Sequence, residues 1–146
     1  MINLFTIGFT KKSAERFFYL LTSNNVKRII DTRLNNTSQL SGFAKAEDLK
    51  YFAKVIGNID YLYKPEFAPT NDLIKKYRGK EISWEEYEIG YLNLLDTRKI
   101  SQKIKIEEFH QNCLLCSEHT PTNCHRRILA EYFQKINNNI KIIHLK

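Results

Sequence analysis

The sequence predicts an α/β fold: a single three-layer α/β/α domain around a mainly parallel sheet of about five strands. Two observations carry this. Short segments rich in Val, Ile and Leu, without polar alternation, recur between segments whose apolar residues repeat at helical spacing; that pattern marks a parallel sheet covered on both faces. The chain has 146 residues, enough for one domain with a real core, and no repeat, linker or low-complexity stretch divides it.

The elements follow in order. Leu4 to Ile7 reads as the first strand, ended at Gly8 by a tight turn. Thr10 is placed to cap a helix from about Lys11 to Ser23, with Ala14, Phe17, Phe18 and Leu21 inward. Val26 to Ile30 is a second strand, running into Asp31-Thr32-Arg33. The polar stretch from Leu34 to Ser41 has the composition of a lid or substrate loop. Ala44 to Val55 is a helix stopped by Gly57-Asn58, and Ile59 to Tyr63 a third strand. Pro65 to Pro69 is a loop. Thr70 or Asn71 starts a short helix to Tyr77, closed by Arg78-Gly79.

Ser83-Trp84-Glu85-Glu86 is a capping box, and its helix continues through Tyr87, Tyr91 and Leu95. Trp84, Tyr87 and Tyr91 read as core or pocket wall. Asp96 to Phe109 is expected to be one more helix. Asn112 to Cys116 is the fourth strand. Arg126 to Ile136 is an amphipathic helix, begun after Pro121 with Thr122 or Asn123 as its cap, and Ile140 to Leu145 is the last strand.

The densest chemistry lies between that fourth strand and its helix. Cys116, Glu118, His119, Cys124, His125, Arg126 and Arg127 fall within twelve residues. Cys124 and His125 stand at a helix start, where free N–H groups and the dipole favour anions and lower a thiol pKa. In a parallel sheet all strand C-termini share one edge. Gly8, Asp31, Arg33, Cys116 and Glu118 therefore share that edge, and they surround one pocket if strands one, two and four are neighbours.

In this arrangement Gly8, Thr10, Arg33 and Arg126 are candidates for binding substrate or an anion, the guanidiniums through paired N–H donors. Glu118 or Asp31 is a candidate general acid or base. Cys116 or Cys124 is a candidate nucleophile. Because neighbouring side chains diverge, Cys124 and His125 are poorly placed to share a proton, so Cys116 with His125 or His119 is the expected thiol–imidazole pair. The Cys-x5-Arg loop of cysteine phosphatases is absent, since the residue six after Cys116 is Thr122.

Metal and cofactor sites are not expected. Cys113 and Cys116 lie on one strand and point to opposite faces. That leaves Cys116, Cys124 and one histidine, with Glu118 as a further donor.

The net charge of +7 permits a polyanionic partner, but the lysines are scattered and no basic block stands out. No stretch has the length of a membrane span. Three cysteines, an odd number, with no secretory leader point to the cytoplasm and away from a disulfide framework.

Thr6-Ile7-Gly8, Asp31-Thr32-Arg33, Glu66-Phe67-Ala68-Pro69-Thr70, Tyr77-Arg78-Gly79, Ser83-Trp84-Glu85-Glu86-Tyr87 and the element Cys116-x-Glu118-x5-Cys124-His125-Arg126 resemble, in order and spacing, the family catalogued as domain of unknown function 488 (DUF488). The resemblance spans nearly the whole chain. It implies a small single-domain α/β protein of prokaryotic cytoplasm and no particular activity. Gly8, Asp31, Arg33, Cys116, Glu118, Cys124, His125 and Arg126 match the family's pattern. Two positions depart from it. Phe9-Thr10 stand where a His-Ser pair is frequent, and Leu34 stands where a proline is frequent.

Three functional readings follow. The first is an enzyme acting on a phosphate-bearing substrate, a nucleotide or nucleic acid. The second is a non-catalytic module binding the same ligands, with salt-dependent affinity. The third is a thiol redox or sensing protein using Cys116 and Cys124.

Overall fold

The computed structural model describes residues 1–37 and 42–146. Five strands, β1 (Ile2–Gly8), β2 (Arg28–Asp31), β3 (Asp60–Tyr63), β4 (Asn112–Cys116) and β5 (Ile140–His144), form one all-parallel sheet in the order β3-β2-β4-β1-β5. The predicted α/β architecture is present. β4 lies between β1 and β2, with Gly8 paired to Cys116 and Asp31 to Leu115. The three strand ends that carry the Gly, Asp and Cys motifs are therefore adjacent.

Alternation along each strand divides the core into two layers. Phe5 and Ile7 of β1, with Cys113 and Leu115 of β4, pack against α1 (Ala14–Ser23) and α2 (Ala46–Gly57) through Phe17, Leu21, Leu49 and Ala53. On the other face, Leu4 and Leu114 meet the residues that follow β3. These belong to α3 (Asn71–Arg78), α4 (Trp84–Thr97), α5 (Ile100–Lys103) and α6 (His125–Ile136), with Tyr91, Leu95, Leu129 and Phe133 at the centre. Each fully buried Leu or Phe contributes about 1.5–3 kcal/mol of burial free energy. No helix among the described residues is long and apolar enough to cross a membrane.

Four local expectations are corrected. Thr10 does not cap α1. Lys11 adopts a left-handed φ of 61°, which delays the helix, and the Ser13 Oγ accepts the Arg16 N–H at 3.1 Å. The segment from Asp96 to Phe109 is not one helix. Lys99, left-handed at φ 56°, separates α4 from α5, and a 3₁₀ turn over Ile106–Phe109 follows. The α6 cap is Cys124 and not Thr122 or Asn123, and its side chain makes no capping bond because its sulfur faces Cys116. Pro65–Phe67 is a 3₁₀ turn. The Thr70 cap and the Ser83/Glu86 capping box form as predicted. Part of the expected lid loop, residues 38–41, lies outside the described residues.

Candidate functional site

The site is built from the loop that follows β4. A Cβ placed on Gly8 would fall 1.5 Å from the Glu118 carbonyl oxygen. Gly8 does not have a positive φ, so glycine is needed here for close approach and not for a turn. The loop crosses directly over β1. Thr10 secures it, since its backbone N–H and its hydroxyl both donate to the Ser117 carbonyl, and its own carbonyl accepts from His119 Nδ1 at 3.1 Å. Thr10 is thus committed to the loop, and His119 is turned to it.

Beneath the loop lies Arg126, with 0% exposure. Its Nη1 donates to the Glu118 carbonyl at 2.7 Å and toward Cys124 Sγ at 3.5 Å, and its Nε to Thr6 Oγ1 at 3.4 Å. Nη2 has no hydrogen-bond partner, and Arg126 forms no ion pair with a carboxylate among the described residues. A buried guanidinium without a counter-charge is strongly unfavourable. The nearest groups able to supply one are the thiols.

Cys124 donates its S–H to Cys116 Sγ, with the sulfurs 2.8 Å apart, and His125 Nδ1 lies 3.7 Å from the same Cys116 sulfur. The bond from Cys124 holds the Cys116 thiol well below its ordinary value. Burial opposes this, and His125 and the Glu118 backbone N–H add to it. Burial, then the Cys116 partner, pushes Cys124 well up, so Cys116 is the first of the pair to ionise. Burial alone would lower His125, but the facing Cys116 and the Thr32 carbonyl outweigh it and its pKa rises. Together these favour the anion on Cys116 over Cys124 and the protonated form of His125.

Thr32 sets the ring. His125 Nε2 donates to the Thr32 carbonyl at 2.8 Å and lies 3.0 Å from its hydroxyl, which donates to the Leu115 carbonyl at 2.8 Å. Nδ1 is thereby left facing sulfur. Cys113, on the opposite sheet face, has its thiol raised by burial and takes no part.

Asp31 and Arg33 form a separate buried unit. Asp31 Oδ1 accepts Arg33 Nε at 2.8 Å and Oδ2 accepts Arg33 Nη2 at 2.8 Å; Tyr61 and Asn36 also donate to Oδ2. Burial, then the bond to Asp31, raises the Tyr61 phenol, which stays a donor. Asp31 is thus saturated, and its geometry is that of a holder for Arg33. Arg33 is 3% exposed, and its Nη1 has no hydrogen-bond partner.

A cavity of about 670 Å³ joins these units. Cys116, Cys124, His125, Arg33, the exposed Glu118 and the rings of Tyr77, Trp84 and Tyr87 all line it. Tyr91 is core, packed edge-on to His125. Of the expected site residues, Cys116, Glu118, Cys124, His125 and Arg33 line the cavity. Gly8, Thr10, Asp31 and Arg126 act behind it. Thr32, Tyr61 and Tyr77 were not singled out from sequence. Thr32, enclosed within Asp31-Thr32-Arg33, and Tyr77, within Tyr77-Arg78-Gly79, carried a signal as members of quoted motifs.

Cys116, Cys124 and His125 are also the residues able to hold a metal, with their donor atoms within 4.8 Å of one another. That donor set suits a soft cation. The ion would sit beside Arg126, which already supplies the positive charge the thiolate requires.

The family model of the Domain of unknown function DUF488 matches residues 13–133. No curated protein and no solved structure matches the chain. The match covers most of the chain, including Asp31, Arg33 and the whole Cys116–Arg126 element, and the chain belongs to the DUF488 family.

Proposed function

We propose that this protein is an enzyme whose nucleophile is the Cys116 thiolate, acting on a phosphate-bearing substrate held in the adjoining cavity. The observation that carries the reading is the convergence of three groups on one sulfur: the Cys124 S–H, His125 Nδ1 and the Glu118 backbone N–H. Each favours the anion, and the thiolate is the reactive form. Arg33, fixed on two nitrogens by Asp31 with its third unpartnered, supports recognition of an anionic group on the cavity wall. Glu118, exposed on the rim, is the group available for proton transfer to or from a leaving group.

The test is protection. Cys116 should be alkylated selectively in the folded chain, and ribose 5-phosphate should slow that reaction while ribose does not. Equal effects of the two sugars would remove the phosphate from the reading.

A second reading, thiol redox, is favoured by the 2.8 Å separation of the Cys116 and Cys124 sulfurs. Attack of Cys116 on a small disulfide would release one thiolate and leave a mixed disulfide. Cys124 would then displace the second thiol and close a Cys116–Cys124 bond. Equilibration with oxidised glutathione followed by peptide mapping distinguishes the two. The redox reading requires that internal disulfide to form reversibly, and the hydrolase or transferase reading does not.

A further inference from the structure

The aromatic wall of the cavity is not used by the thiolate chemistry. Tyr77 and Trp84 ring centroids are 5.5 Å apart, Tyr77 and Tyr87 5.2 Å, and Trp84 stacks on Tyr87 at 5.0 Å with 20° between planes. All three rings line the cavity that Cys116 also lines. They come from α3 and the first turn of α4, where the Ser83/Glu86 capping box fixes the helix start that carries Trp84 and Tyr87.

Arg33 lines the same cavity, almost wholly buried, with Nε and Nη2 spent on Asp31 and Nη1 unpartnered. A buried cationic nitrogen without an acceptor marks the place of a ligand oxygen. A flat ring stacks on aromatic faces and a phosphate pairs with a guanidinium. The cavity of about 670 Å³ lies within the usual range for one small ligand, roughly 300–1,000 Å³.

We infer that the ligand is a single nucleoside monophosphate, with its base against Tyr77, Trp84 and Tyr87 and its phosphate on Arg33. The inference rests on the proposed phosphate-bearing substrate and narrows it from nucleotide or nucleic acid to the monomer. Tyr77, Trp84 and Tyr87 become specificity residues, and Asp31 a positioning residue acting through Arg33.

Trp84 is the only tryptophan in the sequence, so its fluorescence in the full chain reports directly on this wall. Adenosine 5′-monophosphate or uridine 5′-monophosphate should quench it along a saturating one-site curve. Adenosine and ribose 5-phosphate, each lacking half of the recognised chemistry, should bind about tenfold or more weakly. Tyr77→Leu, at a half-buried position, should weaken the nucleotide by roughly tenfold and leave ribose 5-phosphate unchanged. Retained binding with an unreactive Cys116 in the wild-type chain would overturn the nucleophile and keep the ligand. Three results overturn the ligand: no quenching by either nucleotide, equal affinity for nucleotide and inorganic phosphate, or a single-stranded oligonucleotide binding more tightly than the monomer.

Discussion

His125 gives its Nε2 proton to the Thr32 carbonyl, 2.8 Å away, and so keeps Nδ1 turned toward Cys116. The backbone at the end of β2 thereby orients the base that serves the sulfur at the end of β4. The adjacent hydroxyl of Thr32 ties this to the Leu115 carbonyl. Thr32→Val keeps the carbonyl and removes the hydroxyl, loosening the ring without deleting it. The variant should lose about 1 kcal/mol of stability. Its Cys116 alkylation midpoint should move up toward that of a free thiol, as read by denaturant unfolding and peptide-mapped alkylation.

Gly8→Ala should be far more damaging than its size suggests. The added methyl falls on the Glu118 carbonyl, which is backbone and cannot rotate away. A loss of about 3 kcal/mol is expected, with the loop lifted off Arg126. Urea unfolding measures the first effect. The second appears as faster alkylation of Cys124, whose sulfur is otherwise covered. A Gly8→Ala variant of wild-type stability would contradict the close packing of this loop on β1.

Asp31→Asn tests the division of labour between Asp31 and Arg33. It leaves a buried guanidinium without its counter-charge and should destabilise the fold by about 3 kcal/mol or more. In this account Asp31 never contacts substrate. Protein that remains folded should therefore keep its Cys116 pH profile and lose affinity for ribose 5-phosphate. If Asp31 were instead the catalytic base, the profile of turnover would change and ligand affinity would not.

The thiolate–imidazolium pair also sets how stability depends on pH. Cys116 is depressed in the fold, so its contribution is present above the unfolded thiol value and fades as pH falls through the folded one. His125 is raised, so its contribution is present below the unfolded imidazole value and fades as pH rises through the folded one. Stability should therefore fall as acid protonates Cys116, by up to about 1.4 kcal/mol per pH unit, and the His125 contribution should be lost as base deprotonates the ring. Cys116→Ser should flatten the acid limb. Urea midpoints measured across the pH range provide the check.

Much of this was legible in the chain itself. The five strands, the Ser83 capping box and the common edge for Gly8, Asp31 and Cys116 follow from local pattern and the rules of parallel sheets. The divergence of adjacent side chains narrowed the thiol–imidazole pair to Cys116 with His125 or His119; the structure sets His125 beside Cys116 and turns His119 to the Thr10 carbonyl.

What escaped sequence reading depends on tertiary position. Lys11 and Lys99 adopt left-handed backbone without the glycine that would announce it, so one helix start and one helix end were misplaced. The unpartnered Nη2 of Arg126, the unpartnered Nη1 of Arg33 and the packing of Tyr77 on Trp84 are set by three-dimensional packing that no local pattern displays. Cys124 faces Cys116 across a loop of intervening polar residues, and no spacing rule distinguishes that from a solvated thiol.

The central claim is the charge on Cys116, and its most direct measurement is the pH dependence of alkylation, read separately for each cysteine by mass spectrometry. The account predicts that Cys116 reacts with an apparent pKa well below the free-thiol value of about 8.5. It also predicts that Cys124 titrates above that value, that Cys113 stays unreactive until the chain unfolds, and that His125→Gln raises the Cys116 midpoint. A Cys116 midpoint at or above the free-thiol value, or reaction of all three thiols only on unfolding, would contradict it.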